Sequence, residues 1–196
     1  MRSPTTSRLR SGNIPGYSTR DFALLDLTAD ILGNGKNSRL YKRLVYTDQI
    51  ATSVSAGMGP FEIGSQFQLV ATVTPGGDVA AVEKALDEEV RGFLDKGPTA
   101  QELQRLKTAD YAALVRAAER IDGSGGKASI LGESQLYGGS PEFYKTSLNW
   151  LHDATVADVH RAARDWLCSG ACRGRASGIR GSPSGSCWRS VSRSLG

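Results

Sequence analysis

Only two segments of the chain show the alternation typical of β-strands, and a long series of helix-type patterns follows them. The first segment alternates through Ile50, Thr52, Val54, Ala56 and Met58. The second alternates through Phe67, Leu69, Ala71 and Val73. A period of two residues predicts strands, and the glycines and the proline between the segments predict that they pair as an antiparallel hairpin.

Helix-type spacing, with apolar residues three and four positions apart, covers most of the remaining chain. One helix is predicted before the hairpin, with apolar residues on one face at Phe22, Leu25, Ala29 and Leu32. A short second helix is predicted over 38–45. After Pro75, helix-start signals recur, and the clearest is the capping box of Thr99 and Glu102. This order predicts an α+β fold, with a small mixed or antiparallel sheet and helices packed on one face.

The two ends of the chain differ from its middle in charge. Residues 1–20 contain four arginines, residues 168–196 contain five, and neither end contains an acid. The middle of the chain contains 15 of the 24 basic residues and all 20 acidic residues. The net charge of +4 therefore comes from the two ends. An acidic body argues against nucleic acid as a partner. The longest apolar run, Tyr111–Val115, is too short to cross a membrane.

The chain divides by composition into a start, a central domain over 21–167 and a tail. The tail, 168–196, holds eight serines, six glycines and all three cysteines. Such a composition buries too little apolar area to offset chain entropy, so we expect a disordered Ser/Gly/Arg/Cys tail. Our hypothesis is that the tail is the product of a shifted reading frame after Leu167. We also expect a truncated or misread, poorly ordered start over 1–20.

A glycine-containing loop, Gly33-Asn34-Gly35-Lys36, follows the first predicted helix and superficially resembles a phosphate-binding loop. A P-loop needs glycine five positions before Gly35, where Asp30 stands, and a hydroxyl after Lys36, where Asn37 stands. A P-loop also follows a strand and not a helix. We therefore predict a helix-loop-helix connector, in which Gly33 adopts a positive φ to end the first helix.

The residue inventory offers no catalytic constellation. His152 and His160 lack the HxxEH spacing of a zinc site, so we expect ordinary surface histidines. Asp26 and Asp30 lie four residues apart and are expected on a solvated face, not as an acid/base pair. The sequence therefore assigns no catalytic residue and no metal ligand to this chain. A triad assembled in space is left open.

Three stretches together resemble the insulinase/pitrilysin family of zinc metallopeptidases, which includes the mitochondrial processing peptidases. They are SRLYKRLV over 38–45, the two-strand segment that ends at Pro75-Gly76-Gly77-Asp78, and GPTAQEL over 97–103. The resemblance covers residues 13–167. In that family two homologous α+β domains form each half of a clam-like chamber. The zinc is held by an inverted HxxEH motif in the first domain of the active half, so the resemblance implies a non-catalytic second domain here.

The resemblance also carries expectations about the site. It implies that the loop of Gly33, Asn34, Gly35 and Lys36 contacts the peptide. Some family members place an arginine and, seven residues on, a tyrosine after the SRLY helix to hold the substrate carbonyl; here Val45 and Thr52 stand at those positions. The implied partners are a peptide substrate and a catalytic domain, in the same full-length chain or in a partner subunit. Zinc is expected only in that catalytic domain.

We interpret the chain as a fragment of a bacterial-type peptidase of this family, inactive by itself. A periplasmic full-length protein is compatible with the resemblance, although the chain shows no signal peptide. The alternative is a catalytically empty relative that acts as an assembly scaffold, like the core subunits of respiratory complexes that share this fold. An HxxEH sequence upstream of Met1 would favour the peptidase, and its absence would favour the scaffold.

Overall fold

The computed structural model describes residues 5–59, 61, 64–121, 125–167 and 189–195. The elements follow the order β1 (Thr5–Pro15), α1 (Arg20–Gly33), a π-helix (Tyr41–Thr47), β2 (Ala51–Gly59), β3 (Gly64–Val73), α2 (Val79–Lys96), α3 (Ala100–Glu119), α4 (Lys127–Gly138), α5 (Phe143–Asp153), α6 (Val156–Leu167) and β4 (Arg189–Leu195). The predicted α+β class is confirmed.

The four strands form one antiparallel sheet in the order β2-β3-β1-β4. The predicted hairpin of β2 and β3 is present, and β3 also pairs with β1 from Ser7↔Thr72 to Pro15↔Gly64. The alternation predicted for β2 fails at its start, because the register shifts between Ala51 and Ser53. This irregularity buries Ala51 and leaves Thr52 exposed, the reverse of the predicted pattern.

The expected poorly ordered start is corrected by the structure, since residues 5–15 form β1 and lie between two other strands. Backbone pairing on both sides orders a segment whose polar sequence gave no strand signal. The tail is corrected in part: residues 189–195 form β4 on the free side of β1. The rest of the predicted disordered tail, 168–188 and 196, lies outside the described residues. The reading-frame hypothesis stays a hypothesis.

The helices cover one face of the sheet. Inward-facing residues of β3 are buried, among them Phe67, Leu69, Ala71 and Val73, whereas Gln66 on the opposite face is exposed. Helix α1 lies at the centre of the core, because it contacts the sheet as well as α3, α5 and α6. Ten of its fourteen residues are buried. This burial explains why α1 has apolar residues beyond a single face.

The helix-start signals are confirmed where the side chains meet the backbone. The Thr99 hydroxyl accepts from the Glu102 N–H at 3.2 Å, and the Glu102 carboxylate accepts from the Thr99 N–H at 2.8 Å. Helix α2 is followed by its C-cap residue Gly97, whose φ of +73° suits a residue without a side chain. The turn from α2 to α3 is therefore fixed by local chemistry at both of its ends.

Candidate functional site

The loop Gly33–Lys36 is fixed at both ends and exposed in the middle. The Asn34 N–H donates to the Asp30 carbonyl, and the Asn34 side-chain amide donates to the Asp30 carboxylate at 2.7 Å. The Ser38 N–H and hydroxyl both donate to the Gly35 carbonyl, at 3.2 and 2.7 Å. Asn34, Gly35 and Lys36 are exposed, whereas Ser38 is buried. The loop thus presents its main chain to solvent from a rigid base.

The predicted positive φ at Gly33 is wrong, because the positive φ of 78° belongs to Gly35. Gly33 is the last residue of α1 and is buried. A Cβ atom there would lie 2.5 Å from the Ala56 nitrogen and 3.0 Å from the Ser55 carbonyl carbon. Glycine is therefore required by the close approach of α1 to the backbone of β2, and not by the helix end.

Arg39 anchors the segment that follows the loop. Its Nε and Nη2 donate to the two carboxylate oxygens of Glu102 at 2.8 and 2.7 Å. Nη2 also donates to the Gly97 carbonyl at 3.0 Å, and the guanidinium lies 5.1 Å from the centre of the Phe93 ring. A bidentate pair of this kind fixes orientation as well as distance. It joins the loop segment to the turn between α2 and α3.

The pairing also perturbs the pKa of Glu102, which falls to about 2. The hydrogen bond from Arg39 is the largest cause, and the bonds from the Thr99 N–H and hydroxyl add to it, because all of them favour the ionised carboxylate. Glu102 therefore stays ionised down to strongly acidic pH. It acts as a structural anchor and not as a proton donor.

The two positions that the resemblance relates to substrate binding lack suitable groups. Val45 lies on the π-helix and packs partly buried against the core. Thr52 is exposed on β2, and its hydroxyl donates to the Thr72 carbonyl at 3.3 Å. A valine side chain has no hydrogen-bonding atom, so this pair does not form the arginine–tyrosine clamp of family members that hold a substrate carbonyl.

The backbone between these two positions is irregular. The π-helix Tyr41–Thr47 is followed by Gln49 with a φ of 53° and then by the register shift at the start of β2. Left-handed backbone is unfavourable for a residue with a Cβ atom. Gln49 is exposed, so its side chain is not held there by burial. The strain is built into the connection from the π-helix to β2.

Gln49→Gly is expected to stabilise the protein. Relief of left-handed strain, roughly 1–2 kcal/mol, outweighs the extra chain entropy of glycine, about 0.5–1 kcal/mol. The net gain is about 0.5–1 kcal/mol in the free energy of unfolding, measured by thermal or urea unfolding. Gln66→Gly, at an exposed site within β3, is the matched control and should destabilise. A melting temperature that falls in both variants would contradict the assignment of strain to Gln49.

Carboxylates lie close together where α1 meets α3. Burial and the neighbouring Asp30 and Asp110 raise the pKa of Asp26 to about 7. Burial and Asp30 likewise raise the pKa of Asp110, to about 6. The Asp26 side chain still reaches solvent, as expected, but Asp30 is only half-exposed and bonds Asn34. The Asp26 side chain is exposed, yet the surrounding protein desolvates its carboxyl, so the expected solvated face is incomplete for Asp26 as well as for Asp30.

Asp26→Asn is expected to stabilise the protein at pH 8 and to have no effect near pH 4. A carboxyl whose folded pKa is raised binds more protons in the folded state, so its contribution to stability falls as pH rises from about 4 to about 7. We expect less than about 1 kcal/mol, because solvent screens a carboxylate that remains accessible. Urea unfolding at the two pH values checks this. Asp95→Asn, exposed on α2, is the control, and an equal gain at both pH values would contradict the prediction.

Both histidines bond to other groups of the protein. His152 is exposed and pairs with Asp153, as expected for a surface histidine. His160 differs from the expectation: its Nε2–H donates to the Leu94 carbonyl at 2.7 Å, and its ring packs on Gly97. Among the described residues, no group of three or more histidines, cysteines and acids could hold a metal ion. The described residues therefore do not fit a zinc site.

Sequence reasoning missed the pair of Arg39 and Glu102, because 63 residues separate them. The sequence predicts only the capping-box role of Glu102. A signal existed, however, since both residues lie in stretches that carry the family resemblance, SRLY and GPTAQEL.

Comparison with known families identifies the class of this domain. A family model described as the peptidase M16 inactive domain matches residues 8–109, just over half of the chain. The chain therefore belongs to the M16 inactive domain family, and the resemblance drawn from the sequence is confirmed. A comparison with curated protein sequences returned no match. None of the helices in the described part of the chain combines the length and apolar character needed to span a bilayer.

Solved structures share the fold at low sequence identity. The inactive peptidase domain of a candidate zinc protease from Bordetella parapertussis is 21% identical with a TM-score of 0.79, and the match covers 100% of this chain and 94% of that one. A protease from Helicobacter pylori is 20% identical with a TM-score of 0.75 over 83% of this chain, and this chain spans 38% of its length. A chain of complex III2 from Candida albicans is 15% identical, with a TM-score of 0.67 over 84% of this chain and 40% of that one.

Proposed function

We propose that this domain forms the non-catalytic wall of a peptide-binding chamber, beside a separate domain that carries an HxxEH zinc motif. The observation that supports this most is membership of the inactive peptidase domain family. The chemistry of cleavage belongs to the neighbouring domain in this proposal, because the described residues of this chain include no cluster that fits zinc. Zinc there would polarise the scissile carbonyl and activate water.

The loop Gly33–Lys36 is the proposed peptide contact. Its exposed residues carry an amide at Asn34 and a positive charge at Lys36, and Gly35 lets a peptide backbone approach closely. Its base is held by bonds from Asn34 to Asp30 and from Ser38 to Gly35. A loop that is ordered before binding loses little entropy when a peptide docks. Such a loop suits contacts to extended peptides of varied sequence.

The experiment that tests the proposal measures cleavage of an unstructured fluorogenic peptide by the catalytic domain, with and without this chain. We expect cleavage to rise when the chain is added. Lys36→Ala should lower kcat/KM several-fold without changing the melting temperature, because an exposed loop lysine contributes little to stability. Lys127→Ala, exposed on α4, is the matched control. Equal cleavage with and without the chain contradicts the proposal.

A second candidate function is an assembly scaffold without a role in peptide handling. The shared fold with a chain of complex III2 favours it, although 15% identity carries the fold alone. The same experiment separates the two functions. If the chain is a scaffold, it should bind its partner without changing the rate of peptide cleavage by the catalytic domain. The wild type and the loop variant should then give the same rate.

A further inference from the structure

In the described part of the chain, no strand pairs with the outer edge of β2. β2 lies at one end of the sheet and pairs with β3 on its inner side only. Within the described residues, the backbone of Ser53–Gly59 makes no hydrogen bond outside its ladder with β3. Free N–H and C=O groups along an edge form a template for another strand.

The side chains of β2 do nothing to block such pairing. The strand reads ATSVSAGMG over Ala51–Gly59, without a charged residue or a proline, in a chain that is 22% charged. Natural edges are usually protected by lysine, proline or inward-pointing charges. The opposite edge, β4, carries arginines in its sequence at 189 and 193. The two edge strands therefore differ in sequence, since β2 has no charged residue and β4 has two arginines.

β2 is also fixed in position by its packing on the core and on helix α1. Val54 is buried in the core, and Gly33 of α1 approaches the backbone at Ala56 so closely that a Cβ atom would not fit. Ser53, Ser55 and Gly57 alternate on the exposed side. A strand that is already ordered loses little entropy on pairing, so association is less costly than for a mobile segment.

We infer that β2 pairs antiparallel with β2 of a second copy of this chain, which would join two sheets into one across a two-fold axis. An antiparallel edge is complementary to itself, because both copies offer the same pattern of donors and acceptors. The absence of charge in β2 removes repulsion across the axis. Its small side chains offer little to select a foreign sequence, which favours a second copy over an unrelated peptide. This inference does not depend on the proposed chamber.

The test measures the molecular mass of the full chain in solution at increasing protein concentration, by light scattering or sedimentation. The wild-type mass is expected to rise from 20.9 kDa towards twice that value. Ser53→Lys with Ser55→Lys should keep the chain monomeric at the same concentrations, because like charges then meet across the axis. Gln66→Lys with Gln68→Lys, which adds the same charge to the central strand β3, should associate like the wild type.

Hydrogen exchange keeps the test independent of how well the variants fold. In the wild type, the amides of Ser53–Gly59 should exchange more slowly as concentration rises. A wild-type chain that stays at 20.9 kDa throughout contradicts the inference. A dimer that survives the edge substitutions also contradicts it, because the interface then lies elsewhere. If the chain stays monomeric and an unrelated extended peptide slows hydrogen exchange of the β2 amides, the edge binds peptides. That result would contradict pairing with a second copy.

Discussion

Gly33→Val is expected to lower the free energy of unfolding by about 3 kcal/mol or to prevent folding. Its Cβ atom would lie 2.5 Å from the Ala56 nitrogen, which belongs to the backbone and cannot turn away like a flexible side chain. Overpacking of a core costs typically about 1–3 kcal/mol, and the upper end applies where backbone must move. Urea unfolding followed by circular dichroism measures the loss.

Gly57→Val is the matched control for Gly33→Val. Gly57 lies on β2 one residue from Ala56, and an added Cβ atom there meets nothing within 4 Å. Valine favours strands, so this variant should be neutral or slightly stabilising. Equal losses at Gly33 and Gly57 would show that close packing of α1 on β2 is not the cause.

Arg39→Met is expected to destabilise the protein by about 2 kcal/mol at pH 7. The variant keeps the apolar stem but removes both bonds to Glu102 and the bond to the Gly97 carbonyl. Loss of one partner from a buried ion pair costs roughly 3–5 kcal/mol, and partial solvation of this pair reduces that value. Arg43→Met is the control, because Arg43 pairs with Glu88 and Glu89 at the surface, where such pairs contribute about 0–1 kcal/mol.

The same pair predicts a pH dependence. The pKa of Glu102 falls to about 2 in the folded protein from an ordinary value of 4.5. A depressed carboxyl pKa contributes stability that is complete above about pH 4.5 and is lost as pH falls towards 2. Arg39→Met should weaken this loss, since its largest cause is removed. An unchanged acid transition in Arg39→Met would contradict the role assigned to the pair.

The features that the sequence predicts correctly are those encoded by neighbouring residues. The hairpin follows from the alternation through Phe67 and Val73, and the start of α3 follows from Thr99 and Glu102, three positions apart. β1 was missed because its order comes from backbone pairing with β3, and its sequence TTSRLRSGNIP lacks a continuous apolar pattern. Pairing of distant segments leaves little trace in a single sequence.

The candidate site also combines features that neighbouring residues encode with features that depend on distant segments. The exposed loop and the lack of polar groups at Val45 were readable from residue types alone. The reason for glycine at position 33 was not, because a close approach to Ala56 and a positive φ both call for glycine. The anchor of Arg39 on Glu102 depends on how α2 and α3 fold back towards the loop. Three-dimensional proximity, and not composition, decides both features.

The zinc content of the purified chain tests most directly the central claim that this is a peptidase-family domain without its own catalytic metal. The measurement uses elemental analysis after dialysis against a mild chelator, on the wild type and on a variant with Cys168, Cys172 and Cys187 replaced by serine. Removal of the thiols excludes adventitious binding by cysteine. We expect no stoichiometric zinc in the variant and no peptide cleavage. One tightly held zinc per chain in that variant, together with cleavage, would contradict the account.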